Sequence, residues 1–194
     1  MENRLSKTYL PQRRSIRLRN FDYTQAGAYF ITICAYLRQN IFGSISYENM
    51  ITSPVGNIID ECWREIPAHF PHAELAVFVV MPNHPHGIII ITHPAGTQHA
   101  VSASHSESFG KPVASSLPTV IRSFKSATTK HLHASEYGAI HPIWQKGYYE
   151  HVIRTDNEFA NVSEYIDTNP AQWAMDHENP ENTGRVKRLS LEYR

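Results

Sequence analysis

Residues 79–91 read VVMPNHPHGIIII, and they place two histidines, His84 and His86, at the start of a strongly apolar run. The run predicts a buried β-strand, because such apolar strands are typical of sheets covered by helices. Side chains two positions apart on a strand point to the same face, so the two imidazoles are predicted to lie side by side. Two imidazoles on a stiff element form half of a metal site. From this stretch alone, a pair of histidines hydrogen-bonded to nearby backbone is the alternative.

Hydrophobic patterning on either side of this stretch predicts four strands and three helices. Runs of β-branched and aromatic residues indicate the strands, and apolar residues at helical spacing indicate the helices. The third helix opens with a capping box, Thr155 with Glu158, and is predicted to end near Asn169, before Pro170. The predicted order is a strand over 28–36, a helix with its apolar face from Val55 to Ile66, strands over 75–81 and 86–92, a helix from Val120 to Leu132, a strand over 144–153 and the third helix.

This order predicts an α+β fold: a ferredoxin-like βαββαβ sheet with an added C-terminal helix. In that topology the first and third strands are central, so the histidine pair is expected on a central strand. The chain is predicted to comprise a basic N-terminal arm over 1–20, one domain over 21–175 and a polar, basic tail over 176–194. Within the domain, residues 93–116 are rich in Ser, Ala, His, Gly and Pro and are predicted to form a flexible loop.

The charge of the chain is balanced overall but uneven along its length. Lys plus Arg and Asp plus Glu both number 18 among 194 residues, so no global attraction to nucleic acid follows. Both ends of the chain are basic nevertheless, which predicts phosphate contacts near the termini, with solvated tails as the alternative.

Cysteine usage and hydropathy indicate the compartment. Cys34 and Cys62 lie at apolar positions and are predicted to be free thiols in a reducing environment. The N-terminus lacks the apolar stretch of a signal peptide, and no apolar run approaches the ~20 residues that a membrane helix needs. We therefore expect a cytoplasmic protein without a membrane partner.

Several separated segments share a pattern with one known family. One His-x-His is a weak signal, but an ordered set over about residues 13–173 is specific. The segments are Arg13–Leu18, Gly27–Thr32, Met81–Gly87, Ser123–Ser126, Trp144–Arg154 and Tyr165–Pro170. Together they resemble the single-tyrosine HUH transposases of insertion sequences, and most closely their REP-associated tyrosine transposase branch.

The resemblance implies a role for particular residues. His84 and His86 match the family's metal-binding pair, and Tyr165 matches its nucleophile, which makes the added C-terminal helix the catalytic helix. Asn169, one turn further on, matches a polar residue and is implied as a third metal ligand. The family cleaves single-stranded DNA beside short hairpins, leaving a 5′-phosphotyrosine and a free 3′-hydroxyl. The resemblance therefore implies Mg²⁺ or Mn²⁺ as cofactor and hairpin-bearing single-stranded DNA as partner. We expect a monomer or a homodimer.

Further residues are predicted to support the site. Tyr148 and Tyr149 are rival nucleophiles; neighbours on a strand face opposite sides, so one is expected in the core and the other on the surface, where it could stack on a base. His151, near the end of the same strand, is a candidate for assisting the site. The residues predicted to bind DNA are Arg13, Arg14, Arg17, Arg19 and Lys125.

Two other functions are open at this point. The first is a hairpin-binding module without catalysis, since Pro85 stands where the family commonly has a bulky aliphatic residue. Proline removes one ladder donor and could tilt the histidine pair. The second is a metal-dependent hydrolase of small phosphodiesters that uses water instead of Tyr165.

Overall fold

The computed structural model describes residues 22–92, 113 and 115–182, which form a four-stranded antiparallel sheet, a separate two-stranded sheet and four α-helices. The strands are β1 (Gly27–Thr32), β2 (Gly43–Ser46), β3 (Asn49–Thr52), β4 (Ala73–Val80), β5 (Pro85–Ile91) and β6 (Tyr149–Ile153). The helices are α1 (Pro54–Arg64), α2 (Ile66–His69), α3 (Leu117–His133) and α4 (Asp156–Gln172).

The larger sheet has the strand order β4-β5-β1-β6. With β1, β4, β5 and β6 as the four strands of the βαββαβ pattern, the first and third are central, which confirms the predicted topology. Across the sheet, Thr32 of β1 pairs with His86 of β5 on one side and with Tyr149 of β6 on the other. The histidine pair therefore lies at one end of a central strand, where neighbours on both sides fix the backbone.

Both faces of the sheet are covered, which explains why the isoleucine run of β5, residues 88–91, is apolar on both sides. On one face, Ile31 and Ile89 belong to a core that Trp63 of α1 and Phe124 of α3 complete. On the other face, a smaller core joins α4 to the sheet. Its buried members are Phe30, Ile88, Ile153, Val162 and Ile166. The second core anchors α4 beside the end of β5 that carries the histidines.

Gly87 lets the first core press directly on the backbone of β5. A Cβ on this residue would stand 2.5 Å from a ring carbon of Trp63 and 2.9 Å from Phe78. The Trp63 and Phe78 rings are themselves stacked, with centroids 4.4 Å apart. Since successive residues of a strand face opposite sides, this packing lies directly behind His86.

The helix ends follow local chemistry. Ser53 caps α1 by accepting a hydrogen bond from Gly56 N at 3.1 Å, and Thr155 caps α4 by accepting from Glu158 N at 3.1 Å. The predicted end of α4 near Asn169 is wrong, because the helix continues through Pro170 to Gln172. A proline in the last turn sacrifices one hydrogen bond, but its φ suits a helix. Among the residues that the structure describes, no helix is both long and apolar enough to cross a membrane.

Two predicted strands are shorter than expected. β1 ends at Thr32, and Ala35 makes only an isolated bridge to Trp144. β6 begins at Tyr149, after a turn in which Gly147 has a φ of 75°. The predicted arm, with Arg13, Arg14, Arg17 and Arg19, lies outside the described residues. So do residues 93–112 and 114 of the predicted loop and residues 183–194 of the predicted tail.

Candidate active site

The two histidines converge in the protein interior. The Nε2 atoms of His84 and His86 lie 2.8 Å apart, and the two residues are 0% and 2% exposed. Pro85 between them pairs with Val80, and its carbonyl accepts a hydrogen bond from Ile33 N at 3.2 Å. The proline therefore takes part in the sheet through its acceptor and leaves both imidazoles on one face.

Asn83 fixes the orientation of the His84 ring. Its side-chain nitrogen donates to the carbonyls of Arg38 at 3.1 Å and Glu178 at 2.8 Å. The Asn83 Oδ1 atom must then be the acceptor in its 2.8 Å contact with His84 Nδ1, which makes that nitrogen the protonated one. In a neutral imidazole this leaves a lone pair on Nε2, the atom that faces His86.

Thr32 holds the other ring. Its Oγ1 lies 2.8 Å from Nδ1 of His86. A hydroxyl both donates and accepts, so this contact is compatible with the tautomer whose Nε2 carries a lone pair. Burial lowers the pKa of His84 well below its ordinary value, with a further contribution from His86. Burial also lowers the pKa of His86 to about 4. Both rings are therefore neutral at physiological pH, as metal binding requires.

Tyr165 of α4 reaches the histidine pair from the helix side. Its hydroxyl lies 3.4 Å from His86 Nε2, and its ring meets Phe30 edge-on at a centroid distance of 6.0 Å. Burial raises the pKa of the Tyr165 phenol far above its ordinary value, nearby Asp176 raises it further, and the Asn169 amide acts in the opposite direction. Without a cation nearby, Tyr165 is therefore a neutral phenol.

Asp176 is a site residue that sequence analysis missed. Its Oδ2 lies 3.8 Å from His84 Nε2, and one potential ligand atom each from His84, His86 and Asp176 lie within 4.8 Å of one another. The backbone N–H of Glu178 donates to Oδ1 at 2.7 Å, which leaves Oδ2 turned to the histidines. The sequence places Asp176 in the predicted tail, where no periodic pattern distinguishes it from a solvated acid.

The donor set fits a divalent cation. At the site, two buried side-chain oxygens, Asp176 Oδ2 and Asn169 Oδ1, have no hydrogen-bond partner among the described residues. Buried polar atoms are rarely left unpaired, so such oxygens are expected where an ion binds. The 2.8 Å between the two imidazole nitrogens is close to the ~2.9 Å that separates adjacent ligands of an octahedral ion with bonds of about 2.05 Å.

A second set of contacts holds the Asp176 segment against the sheet. Arg38 Nη1 forms an ion pair with Glu178 Oε2 at 2.8 Å, and Cys34 Sγ donates to the same oxygen at 3.4 Å. Leu37 and Arg38 both have a φ of 54°, a left-handed conformation that is uncommon for such residues. This backbone brings the Arg38 carbonyl to Asn83, so the strain serves the contacts that support His84.

Lys125 lies on α3, away from the histidine pair in sequence, and supports a loop. Its Nζ donates to the carbonyls of Gln145 at 2.7 Å and Gly147 at 3.0 Å. Burial lowers the pKa of Lys125 to about 8. Two of the three ammonium donors are therefore used to hold the segment that leads into β6.

The structure places His151 beside the start of the tyrosine helix. Its Nε2 lies 2.5 Å from Glu158 Oε1, while the other carboxylate oxygen of Glu158 accepts from Arg154 N at 2.7 Å. The contact connects β6 to the first turn of α4. His151 is therefore linked to α4, the helix that carries Tyr165.

Comparison with known proteins agrees with the geometry of the candidate site. No model of a known protein family matches the chain. A Haemophilus influenzae protein, named only as uncharacterized, is 37% identical over 166 residues, which cover 84% of this chain and 91% of that protein. A second Haemophilus influenzae protein, named "Putative REP-associated tyrosine transposase", is 24% identical over 151 residues, covering 78% of this chain and 74% of its own length.

A solved structure shares the fold. It is a REP-associated tyrosine transposase bound to a REP hairpin, and it superimposes with a TM-score of 0.52 at 18% identity over 84% of this chain and 74% of that one. The resemblance inferred from the ordered motifs is thereby confirmed. The chain belongs to one family with the 37% identical Haemophilus influenzae protein, and it is similar in sequence and fold to REP-associated tyrosine transposases.

Proposed function

We propose that this protein is a metal-dependent DNA transposase that cleaves and rejoins single strands beside hairpins through a 5′-phosphotyrosine on Tyr165. One observation carries the proposal: the hydroxyl of Tyr165 lies 3.4 Å from an imidazole of a buried, neutral histidine pair. A nucleophile and a set of metal ligands thus meet at one point. The relation to REP-associated tyrosine transposases supports the same reaction class.

His84, His86 and Asp176 would hold the metal, with Asn169 as the further ligand that the family pattern implies. The ligand set combines nitrogen and oxygen, and we propose Mg²⁺ or Mn²⁺, with Mn²⁺ the better match to imidazole on softness. Such an ion would offset the charge of a phosphodiester oxygen and lower the pKa of a nearby phenol.

Tyr165 suits a reaction that must be reversed. Attack by its oxygen forms the bond to phosphorus and breaks the bond to the 3′-oxygen, and the phenol proton is balanced by the proton on the new 3′-hydroxyl. The phosphotyrosine ester retains the bond for rejoining. The helix presents the ring rigidly, since Val162 and Ile166 of α4 are buried against the sheet. Rigid presentation keeps the oxygen aligned for in-line displacement.

The substrate we propose is a single strand flanked by a hairpin, as in the related structure bound to a REP hairpin. A phosphate in continuous duplex is held by its partner strand, whereas an unpaired phosphate can enter a site between a helix and a sheet end. The basic arm, with Arg13, Arg14, Arg17 and Arg19, and the remaining ammonium donor of Lys125 would contact the DNA backbone. We expect the protein to act as a monomer or a homodimer.

Incubation with a hairpin-flanked single strand and Mn²⁺, followed by denaturing electrophoresis, tests the proposal. We expect a covalent protein–DNA adduct that mass spectrometry places on Tyr165. The Tyr165→Phe variant keeps the ring and should fold and bind DNA without forming the adduct. His84→Ala, His86→Ala and chelator should each abolish cleavage.

The same experiment distinguishes the other functions. A hairpin-binding module would retain the DNA without cutting it, and a metal-dependent phosphodiesterase would release products without an adduct. An adduct on Tyr148 or Tyr149, or one formed by Tyr165→Phe, would contradict the assignment of the nucleophile. Equal cleavage of continuous duplex would contradict the proposed substrate.

A further inference from the structure

Two adjacent tyrosines, Tyr148 just before β6 and Tyr149 at its start, have different surroundings. Tyr148 packs against the core that contains Trp63 and Phe124. Tyr149 points to the opposite side, where it is 39% exposed. Part of the Tyr149 side chain is therefore in contact with protein, and a substantial part of its surface faces solvent.

Strand register places Tyr149 on the face of the candidate active site. Thr32 pairs with both Tyr149 and His86, so the three residues form one row across β6, β1 and β5. Directly opposed residues of antiparallel strands project to the same face. At about 4.8 Å between strands, the backbone of Tyr149 lies about 10 Å from that of His86.

Phe30 connects Tyr149 to the nucleophile. Its buried ring meets Tyr149 at a centroid distance of 6.1 Å and Tyr165 at 6.0 Å, edge-on in both cases. Tyr149 is also near enough to Tyr165 to contribute to the raised pKa of its phenol. The exposed ring is therefore one side chain away from the oxygen that would attack the phosphate.

We infer that Tyr149 stacks on an unpaired base of the DNA strand, at a nucleotide next to the phosphate that Tyr165 attacks. The inference rests on the proposed function. The base of that nucleotide is joined to the phosphate through a single sugar, so a ring about 10 Å from the histidine pair is within its reach. A tyrosine is uncharged at neutral pH and offers a π-face, which suits a base rather than a phosphate.

Stacking also explains how a single strand would be held in place. Phosphate contacts set the register of the protein on the DNA backbone, and a stacked base in addition holds one unpaired nucleotide against the protein. With one nucleotide fixed beside Phe30, the adjacent phosphodiester is brought to Tyr165. Tyr149 is then a positioning residue that selects unpaired DNA, because a base within a duplex has no free face.

The test combines variants of Tyr149 with removal of single bases. All are built in the Tyr165→Phe protein, so binding is measured without cleavage, in Mn²⁺, with hairpin-flanked single strands. Each unpaired nucleotide is replaced in turn by an abasic one. We expect Tyr149→Ala to weaken binding of the intact strand roughly 5- to 150-fold, the range for loss of one stacked base. Tyr149→Phe and Tyr149→Trp should bind like the parent.

The decisive result is the coupling between the two changes. One abasic position should weaken the parent by a similar factor yet leave Tyr149→Ala unaffected, since the stack is already absent. Tyr149→Leu keeps an apolar side chain in this edge strand and should behave like Tyr149→Ala, which separates stacking from folding. Tyr47→Ala is the matched control, because Tyr47 is 96% exposed at the turn between β2 and β3.

Equal losses for parent and Tyr149→Ala at every abasic position would overturn the role of Tyr149. An adduct that maps to Tyr149 in the protein with Tyr165 intact would overturn it as well. These outcomes differ from failure of the proposed function, which would appear as absence of any adduct in the unaltered protein. An adduct on Tyr165 without coupling between Tyr149→Ala and any abasic position would contradict only the stacking inference.

Discussion

The carboxylate of Asp176 lies 3.8 Å from Nε2 of His84, the same nitrogen that faces His86. Burial raises the pKa of Asp176, but hydrogen bonding from His177 and the nearby His84 outweigh it and bring the pKa to about 2. The group is therefore an anion at neutral pH. An anionic oxygen beside two neutral imidazoles is the arrangement that a divalent cation would stabilise.

Asp176→Ala should weaken Mn²⁺ binding by about tenfold to 100-fold or more, because it removes the charged member of the ligand set. Titration calorimetry with the full chain measures the change. Glu181→Ala is the matched control, since Glu181 is an exposed acid in the same segment. Asn169→Ala should cause a smaller loss; a loss confined to Asn169→Ala would make the amide, and not Asp176, the third ligand.

Asn83→Ala should reduce both stability and metal affinity. The change leaves the carbonyls of Arg38 and Glu178 without their donor and removes the acceptor that orients His84. We expect about 1–3 kcal/mol less unfolding free energy in urea. Metal affinity should fall about tenfold or more, the range for removing the support of a ligand. Unchanged affinity would show that the His84 ring needs no support from this amide.

Glu158→Gln should alter the dependence of stability on acid. Burial raises the pKa of Glu158, but hydrogen bonds from Arg154 N and His151 outweigh it and lower the pKa below its ordinary value. A lowered pKa contributes stability that is present at neutral pH and is lost as the pH falls through the folded-state pKa. The unaltered protein should therefore lose more stability on acidification than Glu158→Gln does.

Thermal melts between neutral pH and the acid range check this prediction. Glu164→Gln is the matched control, because Glu164 is exposed on the same helix. Parallel curves for the unaltered protein and Glu158→Gln would contradict it.

Lys125→Met should have two effects with separate measurements. Two backbone carbonyls lose their donor, so unfolding free energy should fall by about 1–3 kcal/mol. Removal of one cation from the DNA backbone should reduce the salt slope of DNA binding by about 0.7–0.9. Lys130→Met serves as control, being exposed further along α3. A stability loss with an unchanged slope would mean that Lys125 only anchors the loop.

Removal of residues 1–19 should weaken DNA binding and flatten its salt dependence. This segment carries Arg13, Arg14, Arg17 and Arg19, and each phosphate that they no longer neutralise lowers the slope by about 0.7–0.9. Binding measured over a range of salt concentrations gives the result. An unchanged slope would identify the arm as a solvated tail.

The order of strands and helices could be predicted from the sequence, because the spacing of apolar residues indicates which face of each element is buried. The hairpin of β2 and β3 was not predicted. Its turn has Tyr47 and Glu48 at positive φ, where glycine or asparagine is the usual sequence signal for a hairpin turn. Its strands are also largely exposed, so they lack a clean apolar alternation.

The site was predictable only where local spacing defines it. His84 and His86 are two residues apart on one strand, and Tyr165 belongs to an ordered motif. Asp176 lies near the histidines only in the folded protein. The Arg38–Glu178 ion pair and the left-handed backbone at Leu37 hold its segment in place. Contacts of that kind depend on tertiary packing and leave no periodic trace in the sequence.

Trp63 fills the space that a side chain on Gly87 would occupy, directly behind His86. A methyl group there would push the strand or the indole, and the imidazole on the reverse side would move with it. Substitutions that add packing at Gly87 would therefore also change the position of the His86 imidazole. Over evolutionary time, Gly87 and Trp63 should be constrained as a pair by the reaction proposed for the other side of the sheet.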